Sequence, residues 1–246
     1  MNRFPVIILV GGTATRLRPL TEEIPKALVN VGGQPFIAQQ LRLLHSHGIV
    51  HVVISACYRG EMIRDFVGDG DRFRMKIEYV FDGDHPLGTG GAVRHALNMM
   101  DGPFFVLYGD SYLPCDYSAI QEFFKVSNQR GLMTVYHNQN QWDASNVEIA
   151  GNRIVAYDKK KKTPRMEYID YGLGVFQPDA FASVPEGQPA DLADIYQKLV
   201  KDHSLLAYEV KQRFYEIGSF EGLRELDELL TADPDRFIER KKNELH

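Results

Sequence analysis

Paired glycines followed by cations mark the first chemistry in the chain: Gly11-Gly12 and Thr13, then Arg16, then Lys26. Glycine lets backbone approach a ligand with no β-carbon in the way, and the amides that follow can form an anion-binding nest. Arg16 adds a planar fork for phosphate oxygens, and Lys26 a mobile point charge. Each feature alone reads equally well as a turn or a solvated cation; together they favour a local phosphate site. Two better-known glycine loops do not match. No Gly-Lys-Ser/Thr closes the loop as in a P-loop, and Thr13-Ala14-Thr15 with a long loop replaces the spaced glycines of a dinucleotide fingerprint. Asp110 follows the apolar run 104–108, at the end of a strand where an α/β sheet opens its ligand crevice. Gly88 to Gly91 sits at a helix entry, so its amides and the helix dipole are expected to face that crevice.

The elements that must position these residues follow from periodicity. Residues 5–10 form an unbroken apolar run, suited to a strand covered on both faces. Helices are expected over 35–47, 61–67 and 90–100, alternating with strands at 52–55, 76–81 and 104–108. Strand, helix, strand with short connections predicts a doubly wound, mostly parallel mixed α/β sheet with helices on both faces. Beyond residue 118 the pattern gives a helix at 118–128, a strand at 132–137 and a hairpin of 146–149 with 153–157. A strand at 168–176, a helix at 192–201, strands at 205–210 and 214–217 and a helix at 220–230 follow. One domain over 1–246 is expected, with a nucleotide half at 1–117, a mixed half at 118–232 and a polar tail at 233–246 that frays.

Composition narrows the class. Hydrophobic residues at 44% and charged residues at 25% suffice for a real core and exclude a disordered or collagen-like chain. A net charge of −5 argues against coating nucleic acid. No apolar run approaches the roughly 20 residues of a bilayer span, and the N-terminus does not read as a signal peptide. Cys57 and Cys115 read as ordinary thiols, so a cytoplasmic protein is expected. The eight histidines show no zinc-type spacing, and no Gly-x-Ser-x-Gly elbow occurs.

The segment from Leu9 through Gly11-Gly12-Thr13-Ala14-Thr15-Arg16-Leu17-Arg18-Pro19-Leu20-Thr21 to Pro25-Lys26-Ala27-Leu28 resembles the signature of the sugar-phosphate nucleotidylyltransferases. The similarity continues through Gly32 to Ile37, Leu87-Gly88-Thr89-Gly90-Gly91-Ala92, Gly109-Asp110, Tyr157-Asp158-Lys159 and Tyr215 to Ser219. The length resembles a compact subgroup that includes heptose 1-phosphate guanylyltransferases and N-acetylmuramate 1-phosphate uridylyltransferases, and the Leu87 to Ala92 run looks closer to the heptose enzymes. The resemblance implies a Rossmann-like nucleotide-diphospho-sugar transferase fold. It also implies transfer of a nucleoside monophosphate from an NTP to a sugar 1-phosphate, with guanylyl transfer to a heptose 1-phosphate ahead of uridylyl or cytidylyl transfer to another sugar.

The implied roles fall residue by residue. Leu9, Gly11, Gly12, Thr13, Gly88 and Thr89 bind the nucleotide, with Gly88 against the base. Arg16 meets the leaving pyrophosphate and Lys26 the α-phosphate. Mg²⁺ is held by Asp110 and by Glu216, with a water-mediated contact or a sugar-positioning role as the alternative for Glu216. Asp158, Lys159, Asp170 and Gly172 line the sugar-phosphate site, and Lys160 to Lys162 are solvated. Three positions depart from the pattern: Ala14 for a glycine, Glu216 for an aspartate and Asp170 for an asparagine. Ala14 is expected to avoid positive φ. Asp69-Gly70-Asp71 and Asp82-Gly83-Asp84 read as turns rather than as the Asp-x-Asp metal motif of a glycosyltransferase. A glycosyltransferase and a non-catalytic nucleotide-sugar sensor are the rival readings.

Overall fold

In the computed structural model, which describes residues 3–12, 14–83, 85–138 and 144–238, Val6–Val10 forms strand β1, buried along its whole length. The other strands are β2 (Asn30–Val31), β3 (Gln34–Pro35), β4 (His51–Ala56), β5 (Lys76–Phe81), β6 (Phe104–Tyr108) and β7 (Ser111–Tyr112). They continue with β8 (Gly131–His137), β9 (Val147–Ala150), β10 (Arg153–Tyr157), β11 (Tyr168–Phe176), β12 (Leu205–Glu209) and β13 (Tyr215–Glu216). The helices are α1 (Phe36–Ser46), α2 (Gly60–Val67), α3 (Gly88–Ala96), α4 (Tyr117–Lys125), α5 (Leu192–Lys201) and α6 (Phe220–Ala232).

Nine strands form one mixed sheet in the order β5-β4-β1-β6-β11-β8-β12-β10-β9. β1 lies parallel between β4 and β6, and β11 runs antiparallel to both β6 and β8. Tyr168 of β11 also pairs with Val147 of β9, so that end of the sheet curls back on itself.

The alternation of β1 explains why its apolar run has no break. Val6, Ile8 and Val10 pack with Ile37 and Leu41 of α1, Ile63 of α2 and Ile120 of α4. Ile7 and Leu9 face the other way, onto Val93 and Ala96 of α3 and Ile195 and Leu199 of α5. Successive side chains of a strand point to opposite faces, so a strand covered twice needs an apolar residue at every position. A third cluster joins Val31, Leu43, Tyr112 and Ile217 to Leu226 and Leu230 of α6. The last helix thereby closes over the β2–β3 hairpin: Gly32 N–H donates to Asp227 Oδ1 at 2.8 Å.

Local contacts set the boundaries that periodicity misplaced. α3 starts at Gly88 rather than residue 90, and a 3₁₀ turn (Leu97–Met99) follows it. α4 stops at Lys125 rather than residue 128, where Asn128 takes φ 51°. The two-residue strands β2 and β3 carry no periodic signal and were not foreseen; Gly32 and Gly33, at φ 57° and 75°, make their turn. The tail expected to fray is docked as far as Phe237, whose ring lies 5.9 Å from Tyr112 and 5.6 Å from Tyr215. Residues 239–246 of that expectation lie outside the described residues.

Candidate active site

β1 is followed in space by β4 on one side and β6 on the other, which makes its carboxyl end a topological switch point where the sheet parts into a crevice. A cavity of about 330 Å³ opens there. Leu9, Gly11, Gly12, Gly88 and Thr89 line it, as do Lys26 and Asp110; Thr13 lies outside the described residues. Close backbone packing shapes the wall. A β-carbon on Gly109 would stand 2.2 Å from Val10 Cγ1 and 2.8 Å from Leu9 O, so β6 can turn against β1 only with glycine there.

Lys26 Nζ donates to Asp110 Oδ2 at 2.6 Å, with side chains 19% and 32% exposed. A cation and a carboxylate thus stand together at the Asp110 end of the cavity, still reachable from solvent. Asp110 Oδ1 has only a long contact with Ser111 Oγ, at 3.5 Å. Glu216 is drawn toward this carboxylate by the small β7–β13 ladder, in which Glu216 faces Ser111 and Ile217 N–H donates to Asp110 O at 2.9 Å. The Glu216 carboxylate is exposed and leans over Gly218. Mg²⁺ needs only one or two carboxylates beside phosphate and water oxygens. An Asp110 oxygen with spare acceptor capacity and a second carboxylate on the paired strand fit that requirement. Among the described residues no cluster of three His, Cys, Asp or Glu side chains forms a closed metal site.

On the other flank, Lys159 Nζ lies 5.9 Å from the centroid of the Tyr108 ring, and Tyr108 lines the cavity. Asp170 accepts from Gly172 N–H at 3.0 Å and from Tyr157 Oη at 3.3 Å. Burial pushes its carboxyl above the usual carboxylate range, against the opposing field of Lys159. Gly172, at φ 99°, carries the bulge by which β11 shifts register against β8 between Asp170 and Gly174. A β-carbon at Gly172 would meet only ordinary contacts, so it is the backbone conformation that calls for glycine.

Several expectations are corrected. The Gly88 to Gly91 amides do not simply face the crevice: Gly90 and Gly91 N–H both donate to Ala190 O, at 2.8 and 3.2 Å. Gly88, at φ 66°, would place a β-carbon 2.7 Å from that same oxygen, so a protein contact already requires glycine there. Thr89 Oγ1 bonds Asp191 Oδ1 at 3.1 Å and accepts from Leu192 N–H at 2.9 Å, tying α3 to the start of α5. Asp158 turns from the cavity, its Oδ1 accepting from Lys160 and Lys161 N–H at 2.7 and 2.9 Å. These bonds hold its carboxyl below the usual range. Ala14 does adopt positive φ, at 49°, because its carbonyl is pinned by Leu17 N–H at 3.1 Å and Thr21 Oγ1 at 2.8 Å. Arg16 is exposed on the 3₁₀ turn (Thr15–Leu17) that Ala14 begins and does not line the cavity.

Several lining residues escaped the sequence reading, among them Ser55, Cys57, Asp82 and Tyr108. These four stand at or just past the carboxyl ends of β4, β5 and β6, which was the available signal. The Asp69-Gly70-Asp71 turn is as expected, with Asp71 N–H on Asp69 Oδ1 at 3.1 Å. Asp82 is also a turn residue, capping Leu87 N–H at 2.9 Å, but it faces the cavity as well. Burial raises both the Asp82 carboxyl and the Cys57 thiol above their usual ranges.

The fold and crevice define an α/β protein with a ligand site at the switch point of a doubly wound sheet. Comparison with known proteins then supplies the family: the chain belongs to the nucleotidyl transferase family, whose model matches residues 5–233. It is 29% identical over 211 residues to a mannose-1-phosphate guanylyltransferase of Mycobacterium tuberculosis, covering 84% of this chain and 58% of the relative. It is 28% identical over 231 residues to a UTP–glucose-1-phosphate uridylyltransferase of Synechocystis, covering 85% and 58%. The chain therefore matches less than two thirds of the length of these relatives. The crystal structure of HddC from Yersinia pseudotuberculosis complexed with GMP-PN superposes with a TM-score of 0.74 at 21% identity, covering 92% of this chain and 99% of that one. That likeness establishes the fold. No helix among the described residues is long and apolar enough to cross a membrane.

Proposed function

We propose that this chain is a cytoplasmic, single-domain enzyme that transfers a nucleoside monophosphate from an NTP to a sugar 1-phosphate. The donor and acceptor best supported are GTP and a heptose 1-phosphate; uridylyl or cytidylyl transfer is the alternative. The observation that carries the reading is the Lys26–Asp110 pair at 2.6 Å, inside the cavity at the end of β1. A triphosphate needs a cation there and Mg²⁺ needs a carboxylate, and the pair offers both. A guanylyltransferase among the relatives, and the GMP-PN in the HddC complex, support the choice of base.

The nucleophile is a phosphate oxygen of the sugar 1-phosphate, already anionic at neutral pH, so no general base is required. It forms a bond to the α-phosphorus as the α–β bridging bond breaks, and the electron pair leaves with pyrophosphate. Catalysis is positioning plus charge neutralisation. Lys26 holds the α-phosphate, Arg16 swings in from its exposed turn to the departing pyrophosphate, and Lys159 meets the sugar phosphate across the Tyr108 ring. Asp110 and Glu216 would hold Mg²⁺, which would supply positive charge against the phosphate oxygens.

A panel of NTPs against sugar 1-phosphates, scored by pyrophosphate release, tests the reading. Turnover with at least one pair is expected, lost in Asp110→Asn with the fold intact. Arg16→Ala should lower the rate constant about 30- to 1,000-fold, the range for one transition-state contact. No pyrophosphate from any pair would overturn the proposal.

A further inference from the structure

Away from the crevice, a second cavity of about 480 Å³ opens between the end of α1 and the loop that leads into β5. Arg42 and His45 line it from α1, Arg72, Phe73 and Arg74 from the loop, and Ile238 from the chain beyond α6. Its place in the fold sets it apart from the crevice. α1 and this loop run into the amino ends of β4 and β5, whereas the crevice opens at the carboxyl ends. A six-residue strand, at about 3.3 Å a residue, puts roughly 17–20 Å between the two.

The charge in this hollow is one-sided. Arg42, Arg72 and Arg74 stay protonated at any working pH. No Asp or Glu is among the described lining residues; Asp69 and Asp71, earlier on the same loop, stay out of the wall. The whole chain carries −5, so this concentration of cations runs against its background. Elsewhere on the surface Arg64, Arg94, Arg130 and Arg213 stand against carboxylates. Arg72 and Arg74 have no acid partner among the described residues.

The arginines are nonetheless held in place. The Arg72 guanidinium carbon lies 4.0 Å from the centroid of the Phe66 ring and 4.7 Å from that of Phe73. Stacking fixes a guanidinium while leaving its charge and its edge donors unspent. Arg74 is set by its backbone, because Phe73 N–H on Gly70 O at 2.8 Å and Arg74 N–H on Asp71 O at 2.9 Å close the loop. Arg42 does pair, with Asp235 at 3.1 Å, but the two side chains are 40% and 53% exposed. A pair so open to water contributes little, and an anion of higher charge displaces it.

Guanidinium forks match phosphate oxygens. Forks that enter from two separate elements suit an anion whose charge is spread over two phosphoryl groups rather than one. We propose that this hollow binds a diphosphate, either free pyrophosphate or the diphosphate of a nucleotide, at a site separate from the crevice. The site stands independently of the nucleotidyl-transfer reading, since it shares no residue with the crevice.

Nuclear magnetic resonance of the whole protein tests this, because arginine Nε–Hε signals report each guanidinium separately. The probes are pyrophosphate, GDP and inorganic phosphate at about 0.15 M salt, where screening acts beyond about 8 Å. Arg72 and Arg74 signals should follow saturating curves with pyrophosphate and GDP, and inorganic phosphate should bind about tenfold more weakly. Equal affinities for pyrophosphate and GDP assign the site to the diphosphate alone, and tighter GDP assigns it to a nucleotide. Arg74→Gln removes charge without a ring contact, and should weaken pyrophosphate about three- to tenfold at the Arg72 signal. Arg72→Gln should do the same at the Arg74 signal. Lys26→Ala, in the crevice, should leave both curves unchanged. Shifts that rise without saturating would overturn the proposal, as would full affinity in Arg74→Gln or curves that vanish in Lys26→Ala.

Discussion

Ala14 offers a clean stability test, because its strain is local and its partners are known. The residue sits at φ 49°, ψ 44°, the left-handed region, where its carbonyl accepts from Leu17 N–H and Thr21 Oγ1. An L-residue other than glycine gives up about 1–2 kcal/mol in that conformation. Ala14→Gly removes the penalty and leaves both carbonyl bonds possible. Against it stands the greater freedom glycine gives the unfolded chain, worth about 0.4–1 kcal/mol. The net expectation is a stabilisation of about 0.5–1 kcal/mol, or a rise of roughly 1–4 °C in Tm for a chain of this size. Ala14→Val should move the other way, since a β-branched side chain tolerates the left-handed region poorly. Urea unfolding of the three proteins, with slopes compared to confirm a common unfolded state, measures both effects. If Ala14→Gly loses stability by the entropic amount alone, Ala14 does not hold that conformation in solution and the strain argument fails.

Three further outcomes are expected. Thr89→Val keeps the volume but removes the hydroxyl between Asp191 and Leu192 N–H, and should cost about 0.5–1.5 kcal/mol in urea unfolding; no loss would mean the α3–α5 tie is slack. Asp170 has its folded pKa raised by burial, so its contribution is fully present below the unfolded pKa and lost as pH rises through the folded one. Asp170→Asn should therefore gain Tm over wild type as pH is raised from 4 toward 7, and a constant difference across that range would contradict the burial argument. Glu216→Gln should weaken Mn²⁺ binding in the presence of nucleotide, read by electron paramagnetic resonance. An unchanged affinity would leave Asp110 as the metal's protein ligand without Glu216.

Elements with a strong local code were legible in the residues alone. β5, β6, β11 and α5 lie where periodicity placed them, because each is a continuous apolar run or a full amphipathic period between clear breakers. The pieces that escaped depend on partners far along the chain. β7 is two residues long and exists because β13, a hundred residues later, pairs with it. The Gly88 to Gly91 amides looked free because nothing nearby in sequence competes for them; Ala190 does. Asp158 and Lys159 were read as a pair, yet neighbours at the end of a strand part to opposite sides, and only Lys159 reaches the Tyr108 ring.

Asp82 shows why a correct local reading can still be incomplete. Asp-Gly-Asp after a strand is a turn, and the turn is there: Oδ2 caps Leu87 N–H while Gly83 takes φ 78°. That one bond satisfies every signal a sequence pattern contains. A carboxylate has a second oxygen, however, and its surroundings are set by β4 and α3, not by its own neighbours. Ser55 is a similar case, an ordinary hydroxyl in a buried strand until the sheet places it on the same wall. Chain-local reasoning identifies the Lys26–Asp110 end of this cavity, where glycines and a cation cluster in sequence. The opposite end is assembled from single residues on separate strands, and it becomes visible only in the folded chain.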